Sequence, residues 1–295
     1  MSKINQYFIL EPAKFCLDGG AMYGIIPKPL WEQKSKPDKK NRINLALRLL
    51  LIKTKNRNIL IDTGIGDYHG EKFESLFCIR SEKSPLSNAL NQCDVSPDEI
   101  TDLIISHLHF DHVGGICELS KDKKLTPVFK NATIHLHKDH YSYALTPTKR
   151  DAGSFQKQYF QPIIEFYIAK KKVHWLENKS GDIIPDINIK YKSSNGHTPH
   201  LIHPYNDDFI YLTDLVPTSN HIKIPWVMGY DIEPGVTVQF KEEFLKFIHD
   251  KKLTIIYEHD DDFWGSKLEL NQKGQFQPTE LKDKVNQLSY EITFP

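Results

Sequence analysis

The stretch Ser106-His107-Leu108-His109-Phe110-Asp111-His112-Val113-Gly114-Gly115 places three imidazoles and one carboxylate within six positions. Imidazole nitrogen and carboxylate oxygen at about 2.0–2.2 Å are ordinary ligands of a zinc-like cation. His107 and His109, two apart, can reach one ion, and Asp111 and His112, carried round a turn, can reach a second beside it. Such a pair would make water reactive, because coordination brings the pKa of bound water down to about 7. Phe110 reads as a dry wall of this site, and Gly114 and Gly115 let the backbone turn tightly against it. A polar turn with internally satisfied histidines is the plainer alternative, and the crowding of ligand-type side chains at fixed places counts against it.

A near copy, Ile134-His135-Leu136-His137-Lys138-Asp139-His140-Tyr141, follows 28 positions later. Its first two histidines alternate with Ile134 and Leu136, the period-2 pattern of a half-buried strand that needs no metal. Lys138 stands where the first copy has Phe110, which disfavours a nearby dication, and no glycine follows. The first copy therefore reads as the metal site, and the second as a strand running into a helix.

These side chains need a scaffold that holds them still. Short β-rich runs recur: YFIL, LALRLLLIK, NILID, DLIIS, ATIHLH, INIKY, DFIYLT and LTIIYEH. Ser96, Pro97 and Glu99 form a capping-box pattern for a short helix before DLIIS. Phe155, Tyr159, Phe160, Ile163 and Ile164 fall near one helical face, as do Phe240, Phe244, Phe247 and Ile248. Strands with interspersed helices indicate an α/β chain, with connections too irregular for a regular doubly wound sheet. The lysine-rich EQKSKPDKKNR reads as a solvated loop. Nothing marks a boundary, so residues 1–295 read as one domain.

The apolar run Leu103-Ile104-Ile105 delivers His107 near the carboxyl end of a strand, where ligands of α/β proteins gather. Asp62 ends NILID, His197 follows Gly196, Asp214 ends the run FIYLTD, and His259 ends LTIIYEH. Each alone is an ordinary turn residue. Together they would face one rim.

Composition narrows the classes. Lys+Arg and Asp+Glu both number 38, so net charge exerts no pull toward nucleic acid or an anionic membrane. No apolar run approaches the ~20 residues of a membrane span. The N-terminus lacks a basic segment followed by a long apolar one, so no secretory signal is expected. Cys16, Cys78, Cys93 and Cys117 are scattered, which fits reduced thiols in a cytoplasmic protein. No G-x-S-x-G elbow appears, which counts against a serine hydrolase.

The ordered series Asp62-Thr63-Gly64, His107-x-His109-x-Asp111-His112, His197, Asp214 and His259 resembles the metallo-β-lactamase superfamily over roughly residues 45–260. The resemblance implies a four-layer α/β/β/α sandwich with a dinuclear metal site. It assigns His107, His109 and His197 to the first metal, Asp111, His112 and His259 to the second, and Asp214 as the bridge. It makes Asp62 an outer residue that orients a ligand. Within the superfamily, SHLHFDHVGG and LDGGAMYGIIPKPLW are similar to N-acyl-homoserine lactonases and to methyl-parathion-type hydrolases. Met22, Tyr23, Trp31 and Phe110 are then candidates for the substrate wall. The chain departs from the family at His200, where many members have glycine. It departs again at Pro217, where some lactonases carry a carbonyl-polarising tyrosine. His221 or Thr218 could substitute as donor.

The function this implies is hydrolysis of a lactone, an N-acyl-homoserine lactone first, by a hydroxide bridging two divalent metals. Zinc leads, and iron, manganese or cobalt also suit the ligands. Asp214 would set the intermetal spacing, and Asp111 would relay the proton. Phosphotriester hydrolysis on the same centre is the alternative, and a non-catalytic metal-binding protein is the reading from another class. The short interval from His197 to Asp214 leaves no room for the extra domain of the family's nucleases. Expected partners are a small-molecule lactone or ester, with neither nucleic acid nor membrane, and a homodimer is left open.

Overall fold

The computed structural model describes residues 5–81 and 83–294, so the outermost positions of the expected 1–295 domain lie outside the described residues. Within them the chain forms two compact units. One comprises the residues up to Ala13, Leu47–Asn178 and Val285–Thr293; the other comprises Lys14–Ala46, Lys179–Lys284 and Phe294.

The first sheet runs in the order Ser289–Ile292, Gln6–Asp18, Arg42–Lys53, Asn58–Ile61, Asp102–Ile104, Thr133–His137, Val173–Leu176. From Asn58–Ile61 onward its neighbours are parallel. Parallel neighbours need crossovers, and the intervening helices supply them. Leu49, Leu51, Leu60, Leu103, Ile134 and Leu136 share one face and pack with Phe160, Ile163 and Ile164 of the helix Lys157–Ala169. That helix starts later than its apolar pattern suggests. Phe155 precedes it, ending a short 3₁₀ turn, and its ring meets His109. The box at Ser96 forms as expected, with Ser96 N and Oγ both donating to Glu99 at 2.8 Å.

The second sheet orders Ser180–Ile184, Ile189–Ser194, Leu201–Tyr205, Phe209–Tyr211, Thr254–Ile256, Phe263–Leu270 and Phe276–Asp283. Its single parallel pair, Phe209–Tyr211 with Thr254–Ile256, is joined through the 18-residue helix Pro234–Lys251. Phe244, Leu245 and Ile248 of that helix cover Ile210 and Ile255. All four cysteines are free thiols. No helix among the described residues is long and apolar enough to cross a membrane.

Candidate metal centre

Register explains how distant residues become level. In the first sheet Ile61 pairs in parallel with Ile104, so Asp62 and the turn from Ser106 leave the sheet side by side. In the second sheet Tyr211 pairs in parallel with Ile256, and Asp214 and His259 each lie three residues further on. His197 sits in the turn between Ser194 and Leu201, which are themselves paired.

In the first unit Asp62 is fully buried and accepts from Ser106 N at 2.7 Å, Ser106 Oγ at 2.5 Å and His112 Nδ1 at 3.2 Å. Because Ser106 gives its hydroxyl proton to Asp62, the same oxygen accepts from His107 Nδ1 at 3.0 Å. The carboxylate thus sets two tautomers and leaves Nε2 of His107 and of His112 as lone pairs. His107 Nε2 lies 3.0 Å from His109 Nδ1, near the roughly 3.3 Å that two ligands at 2.0–2.1 Å subtend on a tetrahedral cation. Thr63 clasps the turn, donating from N and Oγ1 to His112 O at 2.7 and 2.9 Å. Glycine is required behind it. A Cβ on Gly114 or Gly115 would strike the carbonyls of Ile65 or Thr63.

The second His-rich run contributes hydrogen bonds to this unit. His135 Nε2 donates to Asp102 Oδ1 at 2.9 Å, His137 Nε2 to Asn178 O at 3.2 Å, and His140 Nε2 accepts from Leu108 N at 2.8 Å. Leu108 separates His107 from His109, so His140 holds that turn from behind. This support was not apparent from the sequence, although the duplicated spacing was the signal.

In the second unit Asp214 stands between two imidazoles, His197 Nε2 at 3.1 Å from Oδ2 and His259 Nε2 at 3.2 Å from Oδ1. Both imidazoles point Nε2 inward because Nδ1 is engaged elsewhere. His197 Nδ1 donates to Asp231 Oδ1 and His259 Nδ1 to Ala46 O, each at 2.9 Å. Burial alone would depress the His197 pKa, but the carboxylates of Asp214 and Asp231 outweigh it and raise it to about 10. The locus therefore favours positive charge. The backbone is strained beside it. Thr213, a β-branched residue, has φ +46°, and such outliers concentrate at functional sites. Asp231 and the Ala46 carbonyl escaped sequence reading because neither ends an apolar run.

His200 adopts φ +59°, a left-handed backbone at the position where the family resemblance implies glycine. Met22, Tyr23, Trp31 and His221 lie together inside this unit. Tyr23 stacks between Trp31 (5.4 Å) and His221 (5.0 Å) and bonds Ser35 Oγ at 2.6 Å. His221 meets Thr218 Oγ1 through Nδ1 at 2.7 Å and donates from Nε2 to Met22 O at 2.9 Å. Burial pushes its pKa down to about 3, so it is neutral. In this arrangement the Thr218 hydroxyl donates to His221 and His221 to the backbone. Phe110, in the first unit, packs against Phe73 and Phe77 at 5.3 and 5.2 Å.

Imidazole nitrogens with fixed lone pairs, beside carboxylates, are a donor set that fits divalent metal. The sequence profile of the metallo-β-lactamase superfamily matches residues 49–259, and the chain belongs to that superfamily. It is a metal-dependent hydrolase with the superfamily's α/β sandwich fold, as expected from the sequence. Lactonases are among its relatives. N-acyl homoserine lactonase AiiB of Rhizobium rhizogenes is 22% identical over 288 residues, covering 89% of this chain and 96% of that protein. A probable metal-dependent hydrolase from Staphylococcus aureus superposes with a TM-score of 0.80 at 25% identity, covering 94% and 97% of the two chains. AidC, a dizinc quorum-quenching lactonase solved with a product, N-hexanoyl-L-homoserine, superposes at 0.73 with 21% identity, covering 97% and 98%.

Proposed function

We propose that this chain opens the lactone ring of N-acyl-homoserine lactones, with residues 1–295 acting as one domain around two zinc ions. His107, His109 and His197 would hold one ion, Asp111, His112 and His259 the other, and Asp214 both. The observation that carries the reading is the Asp214 carboxylate, with one imidazole nitrogen facing each oxygen. When bound, such a pair supplies Lewis acidity and a nucleophile from water at neutral pH. The chain's own residues do the rest. Asp62 and Asp231 fix the tautomers of the ligand imidazoles, and Thr63 and His140 hold the ligand turn in place. Asp111, buried at 7% exposure, would take and return a proton. Phe110 would wall the substrate, as would Met22, Tyr23, Trp31 and His221, with Tyr23 stacked on Trp31 and His221. The relatives named as lactonases support the substrate class.

The test is a panel of homoserine lactones of several acyl lengths, plain aliphatic lactones and a paraoxon-type ester, with metal content measured on the same sample. Turnover highest on an acyl-homoserine lactone is the expected result. Faster turnover of the phosphotriester than of every lactone would reverse the assignment. Bound metal with no turnover of any ester would make this a binding protein.

A further inference from the structure

A second cluster of metal-type ligands lies in the first unit, formed by parallel strands rather than by the ligand turn. His135 on Thr133–His137 pairs in register with His174 on Val173–Leu176. Their Nδ1 atoms face each other at 3.0 Å with the rings nearly perpendicular. Asp102, on the strand at the other side, takes the Nε2 proton of His135 at 2.9 Å. Arg57 Nη1 (2.9 Å) and Thr101 Oγ1 (2.7 Å) also donate to Asp102. Burial would raise the Asp102 pKa, but the bonds from His135, Thr101 and Arg57 outweigh it, so it stays ionised. The carboxylate therefore locks His135 with its proton on Nε2 and its lone pair on Nδ1.

We propose that His135 and His174 form a peripheral site for a divalent transition metal such as zinc, oriented by Asp102. A carboxylate behind an imidazole ligand is the usual outer partner of a zinc-bound histidine. The nitrogen separation of 3.0 Å needs to open only to about 3.3 Å for two tetrahedral ligands at 2.0–2.1 Å. Without metal, one proton must sit between the two Nδ1 atoms, and it belongs to His174. On binding, His174 carries its proton on Nε2 instead, and no net proton is released. His174 is exposed, so Nε2–H can donate a hydrogen bond to water and water can complete the coordination. Burial, then the neighbouring His135, lower the His174 pKa, which keeps the ring neutral and available. The site would tie two adjacent strands together and is independent of the proposed lactonase activity.

Untagged enzyme, dialysed with its resident metals in place, is titrated with Zn²⁺ and metal per chain is counted by equilibrium dialysis. Wild type should take up one further equivalent and unfold at a higher temperature with it. His174→Ala should lose both effects and keep its hydrolytic rate. Asp102→Asn should weaken the added site by about 10–100-fold. Absence of a further equivalent in wild type, or its survival in His174→Ala, would overturn the site. Unchanged affinity in Asp102→Asn would remove the carboxylate from it. Should that variant misfold, the His174 comparison decides alone.

Discussion

Asp231 offers the sharpest test of how the ligand imidazoles are aimed. Its Oδ1 receives the His197 Nδ1 proton at 2.9 Å, and both residues are buried, 1% and 3% exposed. Asp231→Ala removes the acceptor that keeps the neutral ring's proton on Nδ1, so that proton can move to Nε2, the atom directed at Asp214 and the one a metal would need free. A hydrogen bond to a charged group contributes about 1.5–3 kcal/mol. At about 1.4 kcal/mol per tenfold, that is a loss of roughly 10–150-fold in metal affinity. Loss of an outer-shell partner independently suggests about 10–100-fold. Asp231→Asn keeps a neutral acceptor and should fall between the alanine variant and wild type. The assay is metal retention against a graded chelator, with thermal unfolding of the stripped proteins run alongside to separate misfolding from weakened binding. Wild-type retention by a folded Asp231→Ala protein would refute the view that this carboxylate sets the His197 tautomer.

Asp214→Ala should lose at least one metal and most activity, as read by elemental analysis and turnover; full activity would dismiss Asp214 as the shared ligand. His137→Ala should lose neither, since its ring bonds Asn178 O and Asp139 N in the strand-to-helix turn. Burial pushes the pKa of His203 down to about 3, as it does for His221. Below the unfolded value near 6.5 the unfolded chain binds protons that the folded chain refuses. Their contribution is therefore full above about pH 6.5 and is lost as pH falls toward 3, at up to about 1.4 kcal/mol per pH unit each. Denaturant midpoints between pH 7 and pH 4 should show a shallower decline in His203→Asn than in wild type. His200→Gly relieves a left-handed backbone, a gain of about 1–2 kcal/mol offset in part by glycine's greater freedom when unfolded. Its thermal midpoint should hold or rise slightly, and a clear fall would show that the His200 side chain is needed.

Local spacing determined a good deal. His107-x-His109-x-Asp111-His112 with its two glycines was legible as a cluster because those side chains sit in one turn, where residues near in sequence are near in space. The strands were legible for the same reason: an apolar run such as Leu103-Ile104-Ile105 carries its own periodicity, although the strands before Asp62, Asp214 and His259 stop at Ile61, Tyr211 and Ile256. Tertiary structure alone decided which acceptor holds each imidazole. Asp231 reaches His197 across 34 positions and Ala46 O reaches His259 across 213, and neither interval carries any pattern. It also decided that the second His-rich run serves the first through His140, and that Tyr23 and His221 stack on each other. The physical reason is that β register, which sets those neighbours, arises from hydrogen bonds between strands far apart in the chain, and a backbone donor or acceptor looks the same at every residue.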